Sequence, residues 1–186
     1  MSEIVATINT RQIDRLFRRL EKNTNASSRR VLFNAIAQDM QAAVQKNFAT
    51  EGRRVFPGGW RQLAASTRRR KAKTGKSKIL QNSAQLKNSI NARGTSTYAV
   101  VGTNKKYGRI HQMGGTINHP GGTPYIPFSS GGNSLGVRFM RKDGNYPPGT
   151  GFTKPHQIKI PKRPFLAFNA SDIDLIEKRI GEVMVK

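Results

Sequence analysis

The sequence contains no cysteine in its 186 residues. It therefore has no disulfide bond, no thiolate nucleophile and no cysteine ligand for zinc or an iron–sulfur cluster. No apolar run approaches the roughly 18 residues that a membrane-spanning helix needs, and the first residues lack the basic and apolar segments of a signal peptide. We therefore expect neither thiol chemistry nor passage through a membrane.

Acidic residues are also scarce. The chain has 10 Asp and Glu against 33 Lys and Arg, which gives a net charge of +23, and hydrophobic residues are only 35% of the total. Residues 52–142 hold 18 of the basic residues and no acid, whereas the two flanks share the other 15 basic residues and all ten acids. A folded chain with so much uncompensated charge usually has a polyanionic partner, and nucleic acid is the first candidate.

The densest basic run lies at 68–78. Its seven cations are Arg68, Arg69, Arg70, Lys71, Lys73, Lys76 and Lys78. Because the run has neither interleaved aromatic residues nor a rigid element that could read base edges, we expect any contact with double-stranded DNA to be independent of sequence. The alternative interpretation is a mobile loop whose charges are only solvated.

Hydrophobic spacing predicts two helices before this run. Apolar residues recur at helical spacing over 10–20, with Thr10 as N-cap, and at every fourth position over 32–48, with Ser27 and Ser28 at the start. A polar turn joins the two into a helical hairpin. Glycine and proline at 57–59 end it, and 60–66 is expected to form a short helical turn.

The remaining segments predict a few strands and a closing helix. Two β-favouring runs, 89–93 and 97–101, predict a hairpin, 107–113 a helical turn, and 157–160 a strand. Ser171, followed by Asp174, predicts the cap of a last helix. Residues 114–155 are dense in glycine and proline and predict an insertion loop, with 137–140 as one arm of a hairpin inside it.

We therefore predict a single α+β domain over 1–186. It comprises an N-terminal helical hairpin (1–50) packed on a small, mainly antiparallel sheet, a basic loop (51–82), an α+β core (83–113 and 157–186) with a C-terminal helix, and a long Gly/Pro-rich insertion loop (114–156).

Candidate catalytic motifs are present only as fragments. The end of a phosphate-binding loop at 75–77 lacks its first glycine, because position 70 is Arg70. Ser134, Asp143 and His156 have the order of a hydrolase triad, but the serine lies in a glycine-rich segment of a chain too short for that fold. The three histidines lack metal-ligand spacing. We expect no enzyme activity, no cofactor and no metal, although a small hydrolase using Ser134 stays a formal alternative.

Five short motifs in one order provide the strongest functional signal. They are 60–63 (WRQL) with Thr67, 79–81 (ILQ) with Leu86 and 89–90 (SI), 101–104 (VGTN) with Tyr107, 110–112 (IHQ) with 114–115 (GG), and 160–166 (IPKRPFL). In this order the chain resembles the virion morphogenesis, or tail-completion, proteins of tailed bacteriophages. One departure is Asn82-Ser83, where that family's pattern has Thr-Gly.

The resemblance implies a non-enzymatic structural protein of the phage neck or tail end. It implies a homo-oligomeric ring between the head connector on the portal side and the tail terminator or tail tube, located in the virion and, during assembly, in the host cytoplasm. Double-stranded DNA passes through such a ring, so the seven cations of the basic run are expected to face DNA in its lumen. The alternative is a free-standing protein that binds nucleic acid without sequence preference.

Six residues of the ordered motifs are expected to lie in the core or at a subunit interface. They are Trp60, Leu63, Tyr107, Ile110, His111 and Phe165. For Trp60 and Phe165, burial in the core is the simpler expectation.

Overall fold

The computed structural model describes residue 18 and residues 25–75, 77–130, 134–140 and 145–184. The chain divides into two compact units: unit 1 comprises residues 1–114 and 161–186, and unit 2 comprises residues 115–160. The described helices are α1 (Ala26–Ala49), α2 (Ala65–Ala72), α3 (Gln85–Asn88), α4 (Gly108–Met113) and α5 (Ala170–Met184). The described strands are β1 (Ile90–Gly94), β2 (Ala99–Thr103), β3 (Gly115–His119), β4 (Pro124–Ser130), β5 (Ser134–Phe139), β6 (Gly151–Phe152) and β7 (His156–Ile160). The predicted α+β class is confirmed, with a single-domain organisation still a prediction.

Helix α1 is the central element of unit 1, and its sequence prediction is confirmed. It buries the apolar residues that recur every four positions, among them Ile36, Val44 and Phe48. Its N-cap is Asn25 rather than a serine, because the Asn25 side-chain oxygen accepts a hydrogen bond from the Ser28 N–H at 2.8 Å. The predicted helix over 10–20, and with it the helical hairpin, lies outside the described residues except for Arg18.

The predicted hairpin of β1 and β2 is also confirmed. The strands pair antiparallel from Ile90 opposite Thr103 to Gly94 opposite Ala99. One face packs on α1, where a Cβ at Gly94 would lie 2.3 Å from backbone atoms of Phe33 and Asn34. Only glycine allows the end of the hairpin to approach the helix this closely.

Helix α5 closes unit 1 against α1. The Asn169 side chain accepts a hydrogen bond from the Asp172 N–H, and Asp172 accepts one from the Asn169 N–H, both at 3.0 Å. The predicted cap of Ser171 with Asp174 was therefore wrong by two residues, since this reciprocal pair satisfies the first turn. Asp172 also holds Arg54 through two hydrogen bonds of 2.6 and 2.9 Å.

The segment 51–82 is not the loop that the sequence analysis predicted. After the Pro57-Gly58-Gly59 turn, Trp60 enters the core without forming a helix, and the helix begins only at Ala65. Neither composition nor hydrophobic spacing indicated α2, because the sequence of α2 carries no apolar stripe. Part of the basic run is therefore helical and not a mobile loop.

Unit 2 is built from strands where an insertion loop was expected at 114–156. Strands β3 and β7 form one antiparallel pair, and β4 pairs with β5 and β6 in a second sheet. The predicted hairpin arm at 137–140 is confirmed as part of β5. Glycine and proline mark the turns between the strands, such as the left-handed Gly121 (φ +80°), rather than a continuous loop.

Candidate functional surface

Helix α2 carries the cations of the basic run on two different sides. Arg68, Arg69 and Lys73 are exposed to solvent, and Lys73, the C-cap of the helix, lies about one turn after Arg69. Thr67, Lys71 and Arg70 line a cleft that α2 forms with α3 and α4, and Arg70 is at the same time exposed to solvent. The helical spacing therefore separates neighbouring residues that looked equivalent in the sequence.

Lys71 does not belong to the exposed cations, which corrects its assignment to a DNA-facing loop. Only 6% of its surface is exposed, and its ammonium group donates a hydrogen bond to the carbonyl of Lys78. Thr74 donates its hydroxyl to the Lys71 carbonyl at 3.0 Å, which tightens the same bend. Lys71 therefore anchors the segment that follows α2, because a buried lysine needs such partners.

The cations that the structure places on the surface of this segment are Arg68, Arg69, Arg70, Lys73 and Lys78. Lys76 lies outside the described residues. Three ion pairs form within the described part of the chain, Arg53–Glu51, Arg54–Asp172 and Arg179–Asp39, and none involves these five cations. Their charge is therefore not neutralised within the described part of the chain, and it can act on an external anion.

The cleft beside α2 measures about 390 Å³ and is also cationic. Besides Lys71, its buried charge is Arg163, which is 6% exposed and donates hydrogen bonds to the carbonyls of Arg61 at 2.9 Å and Gln62 at 3.3 Å. Burial, followed by the charge of Arg61, lowers the pKa of Arg163. Among the described residues that line the cleft there is no carboxylate.

His111 lies in the same cleft. Burial and, secondly, the charge of Arg163 lower the pKa of His111 below its ordinary value of 6.5, so the ring is neutral at pH 7. Its buried Nδ1 has no hydrogen-bond partner among the described groups. The ring of Tyr107 meets the imidazole edge to face, with centroids 6.0 Å apart.

The other two histidines lie in unit 2. His119 and His156 face each other across β3 and β7, and their rings stack with centroids 4.8 Å apart. His119 Nδ1 accepts a hydrogen bond from the Gly121 N–H. Within the described residues no three His, Asp or Glu side chains come together as a metal site. Asp143 of the hydrolase-like triad lies outside those residues.

The sequence matches the phage virion morphogenesis family over residues 8–184, which is nearly the whole chain. The chain belongs to the phage virion morphogenesis family. Membership gives the protein a role in building a phage virion. No curated protein and no solved structure matched the chain. In the described part of this virion morphogenesis protein, no helix has the length and hydrophobicity to cross a bilayer.

The motifs that suggested the family meet around one segment of the virion morphogenesis protein, residues 161–168. Gln112 accepts hydrogen bonds from the N–H groups of Phe165 and Leu166 and donates one to the Leu166 carbonyl. Trp60 donates its indole N–H to the Pro164 carbonyl at 3.1 Å. Separate motifs therefore fix the path of the chain where it returns to unit 1.

The six expected core or interface residues fall into three groups. Trp60 and Phe165 are core residues, and Phe48 contacts both rings at centroid distances of 5.6 and 5.5 Å. Leu63, Ile110 and His111 are partly buried. Tyr107 is 41% exposed, so it is not a core residue, and its place at a subunit interface stays a prediction.

Three polar residues that hold the segment 161–168 in place were not predicted from the sequence. Asn47 is fully buried and donates hydrogen bonds to the carbonyls of Phe165 and Ala167 at 3.0 and 2.7 Å. Gln112 and Arg163 stood inside quoted motifs, but no role was assigned to them. The available signal for Asn47 was its position on the apolar face of α1, one residue before Phe48.

Proposed function

We propose that this virion morphogenesis protein is a tail-completion, or neck, component of a tailed phage. In this proposal several copies form a ring that joins the head connector to the tail terminator or tail tube and lets DNA pass. Family membership supports the virion role. The observation that carries the more specific proposal is the set of exposed cations on and after α2 that have no carboxylate partner.

The chemistry of these cations suits a passage for DNA. Arg68, Arg69 and Lys73 can attract phosphates, and all charged side chains of this short helix are basic, which suits contact with the backbone of DNA. Attraction to the backbone alone lets DNA move along a surface without stopping at particular sequences. A ring lumen needs this combination of affinity and indifference to sequence.

The first test is the composition of purified phage particles. Mass spectrometry would quantify this protein against the major capsid protein. A small and fixed number of copies per particle is the expected result. Absence from particles, with abundance in the lysate, would contradict the proposal and favour the free-standing nucleic-acid-binding alternative.

The second test addresses the basic surface. In the variant Arg68→Ser, Arg69→Ser, Lys73→Ser, we expect duplex DNA binding to weaken and the slope of log K against log salt to fall by about 0.9 for each lost phosphate contact. The matched control removes three exposed cations elsewhere, at Arg30, Lys46 and Lys178. Equal losses in both variants would show that net charge, and not this surface, determines DNA binding.

A further inference from the structure

The cleft beside α2 combines apolar and cationic groups in a way that suits a protein side chain better than a nucleic-acid backbone. Leu63, Leu80 and Leu86 contribute apolar surface, and Arg70 and Arg163 contribute charge. Arg163 already donates to two carbonyls, yet no carboxylate in the cleft balances its charge. A buried cation of this kind is stabilised when an acid reaches it.

Unbalanced acids lie elsewhere on unit 1. Among the described acidic residues, those that form no ion pair are Asp174, Glu177 and Glu182, and all three belong to α5. Leu175 beside them is 42% exposed. The opposite side of α5 packs into the core through Ile176 and Ile180, so we define the outward residues Asp174, Leu175, Lys178 and Glu182 as the α5 stripe.

We propose that the cleft beside α2 receives the α5 stripe of a second copy of this chain. Leu175 would meet the leucines of the cleft, and Asp174 and Glu182 would meet Arg70 and Arg163. Among the described residues no ion pair joins the stripe to the cleft within one chain, so both surfaces are available to a second copy. This inference rests on the proposed function in one respect, because the contact would join neighbouring copies of the proposed ring.

Such a contact has a defined consequence for assembly. The two surfaces are different, so each copy would offer its α5 stripe to one neighbour and its cleft to another. When the two surfaces of each copy engage different neighbours, the contact produces a closed ring or an open filament. The cations on the outer side of α2 stay free for DNA in this arrangement.

Engineered cysteines test the contact directly, because the natural chain has none. A variant carrying Thr67→Cys in the cleft and Leu175→Cys in the stripe should form a ladder of disulfide-linked multimers when oxidised. The control pairs Thr67→Cys with Val31→Cys, since Val31 is an apolar residue on α1 that is more exposed than Leu175. The proposal expects the ladder only in the first variant, and equal ladders or none in both would overturn it.

Charge exchange tests the pairing in the same cysteine variant. We expect Arg70→Glu alone, or Asp174→Lys with Glu182→Lys, to reduce linking at least about tenfold, and the combination of all three to restore it. Arg30→Glu, an equal charge change on α1, should leave linking unchanged. The pairing is wrong if the combination restores nothing, or if Arg70→Glu leaves linking intact and weakens duplex DNA binding as strongly as Arg68→Glu.

The contact and the proposed function can fail separately. If particles contain the protein but show no linking between residues 67 and 175, the contact is wrong and the virion role stands. If the purified protein forms the ladder but is absent from particles, the neck function is wrong and the contact stands.

Discussion

At the scale of single residues, a few buried polar groups determine how unit 1 is joined together. Asn47 reaches from α1 to two carbonyls more than 110 positions later in the chain, while its own Oδ1 has no partner. These bonds connect the first described helix to the returning segment. The burial of Trp60 and Phe165 was predicted because both side chains are large and apolar. The burial of Lys71 was not predicted, because nothing in the sequence distinguishes Lys71 from its exposed basic neighbours.

Replacement of Asn47 tests this connection. Asn47→Ala leaves two buried carbonyls without donors, so we expect the free energy of unfolding to fall by about 2–4 kcal/mol. Urea denaturation followed by circular dichroism measures the change. Gln38→Ala, at an exposed position of the same helix, should change the free energy by less than about 0.5 kcal/mol. Similar losses in the two variants would contradict the role of Asn47.

His111 predicts a specific dependence of stability on pH. Its pKa is below 6.5 in the folded chain, so between that lowered value and 6.5 the unfolded chain binds more protons. The contribution of His111 to stability is therefore complete above pH 6.5 and is lost as the pH falls through this window. Subtracting the pH profile of His111→Asn from that of the natural chain isolates this effect. A difference that stays constant from pH 7.5 to 5 would disprove the prediction.

At the scale of elements, the helices and strands that bury one face were the easiest to predict from the sequence. Helix α1 and the hairpin of β1 and β2 each bury one face, so their apolar residues recur with a period that the sequence displays. Helix α2 is exposed along most of its length and β3 is mainly exposed, and neither has a hydrophobic pattern that predicted it. Their structure depends on hydrogen bonds and partners that composition does not reveal. Strand β7 is an exception, because it is also mainly exposed and yet the predicted strand at 157–160 is confirmed.

The contact between the hairpin and α1 gives a prediction at this scale. In Gly94→Ala the added Cβ would meet backbone atoms that cannot move independently, so we expect a loss of about 2–3 kcal/mol or more. Thermal unfolding measures it. Gly181→Ala is the matched control, because a Cβ there meets nothing within 4 Å and alanine favours the helix α5. A loss in Gly94→Ala no greater than in the control would show that the hairpin can shift.

At the scale of the whole molecule, the two units differ in how much they bury. Unit 1 contains the whole described hydrophobic core, whereas in unit 2 the residues whose burial is described include only Gly121 and Pro124 as buried. The glycine and proline content of this segment distinguished it in the sequence. Most of its strands were not predicted, because they lack a core. Likewise, the charge of the sequence indicated the basic surface. The cleft could not be predicted, because three segments that are far apart in the sequence form it.

This difference predicts unequal protection from hydrogen exchange. Amide groups in α1 should exchange slowest, because they open only when unit 1 unfolds. Those of β4 and β6 should exchange at least about a hundredfold faster, since little buried surface opposes their local opening. Hydrogen–deuterium exchange with mass spectrometry separates the two. Equal protection would show that unit 2 unfolds only together with unit 1.

The pairing of Gly115 with Ile160 has an evolutionary consequence. The chain leaves unit 1 and re-enters it at two positions held side by side by the β3–β7 ladder, about 5 Å apart as paired strands are. A segment of any length or origin that is inserted beyond that ladder leaves the two chain ends at the same positions in unit 1. The paired ends of the β3–β7 ladder therefore make unit 2 a segment whose length can change while the two chain ends in unit 1 keep the same positions.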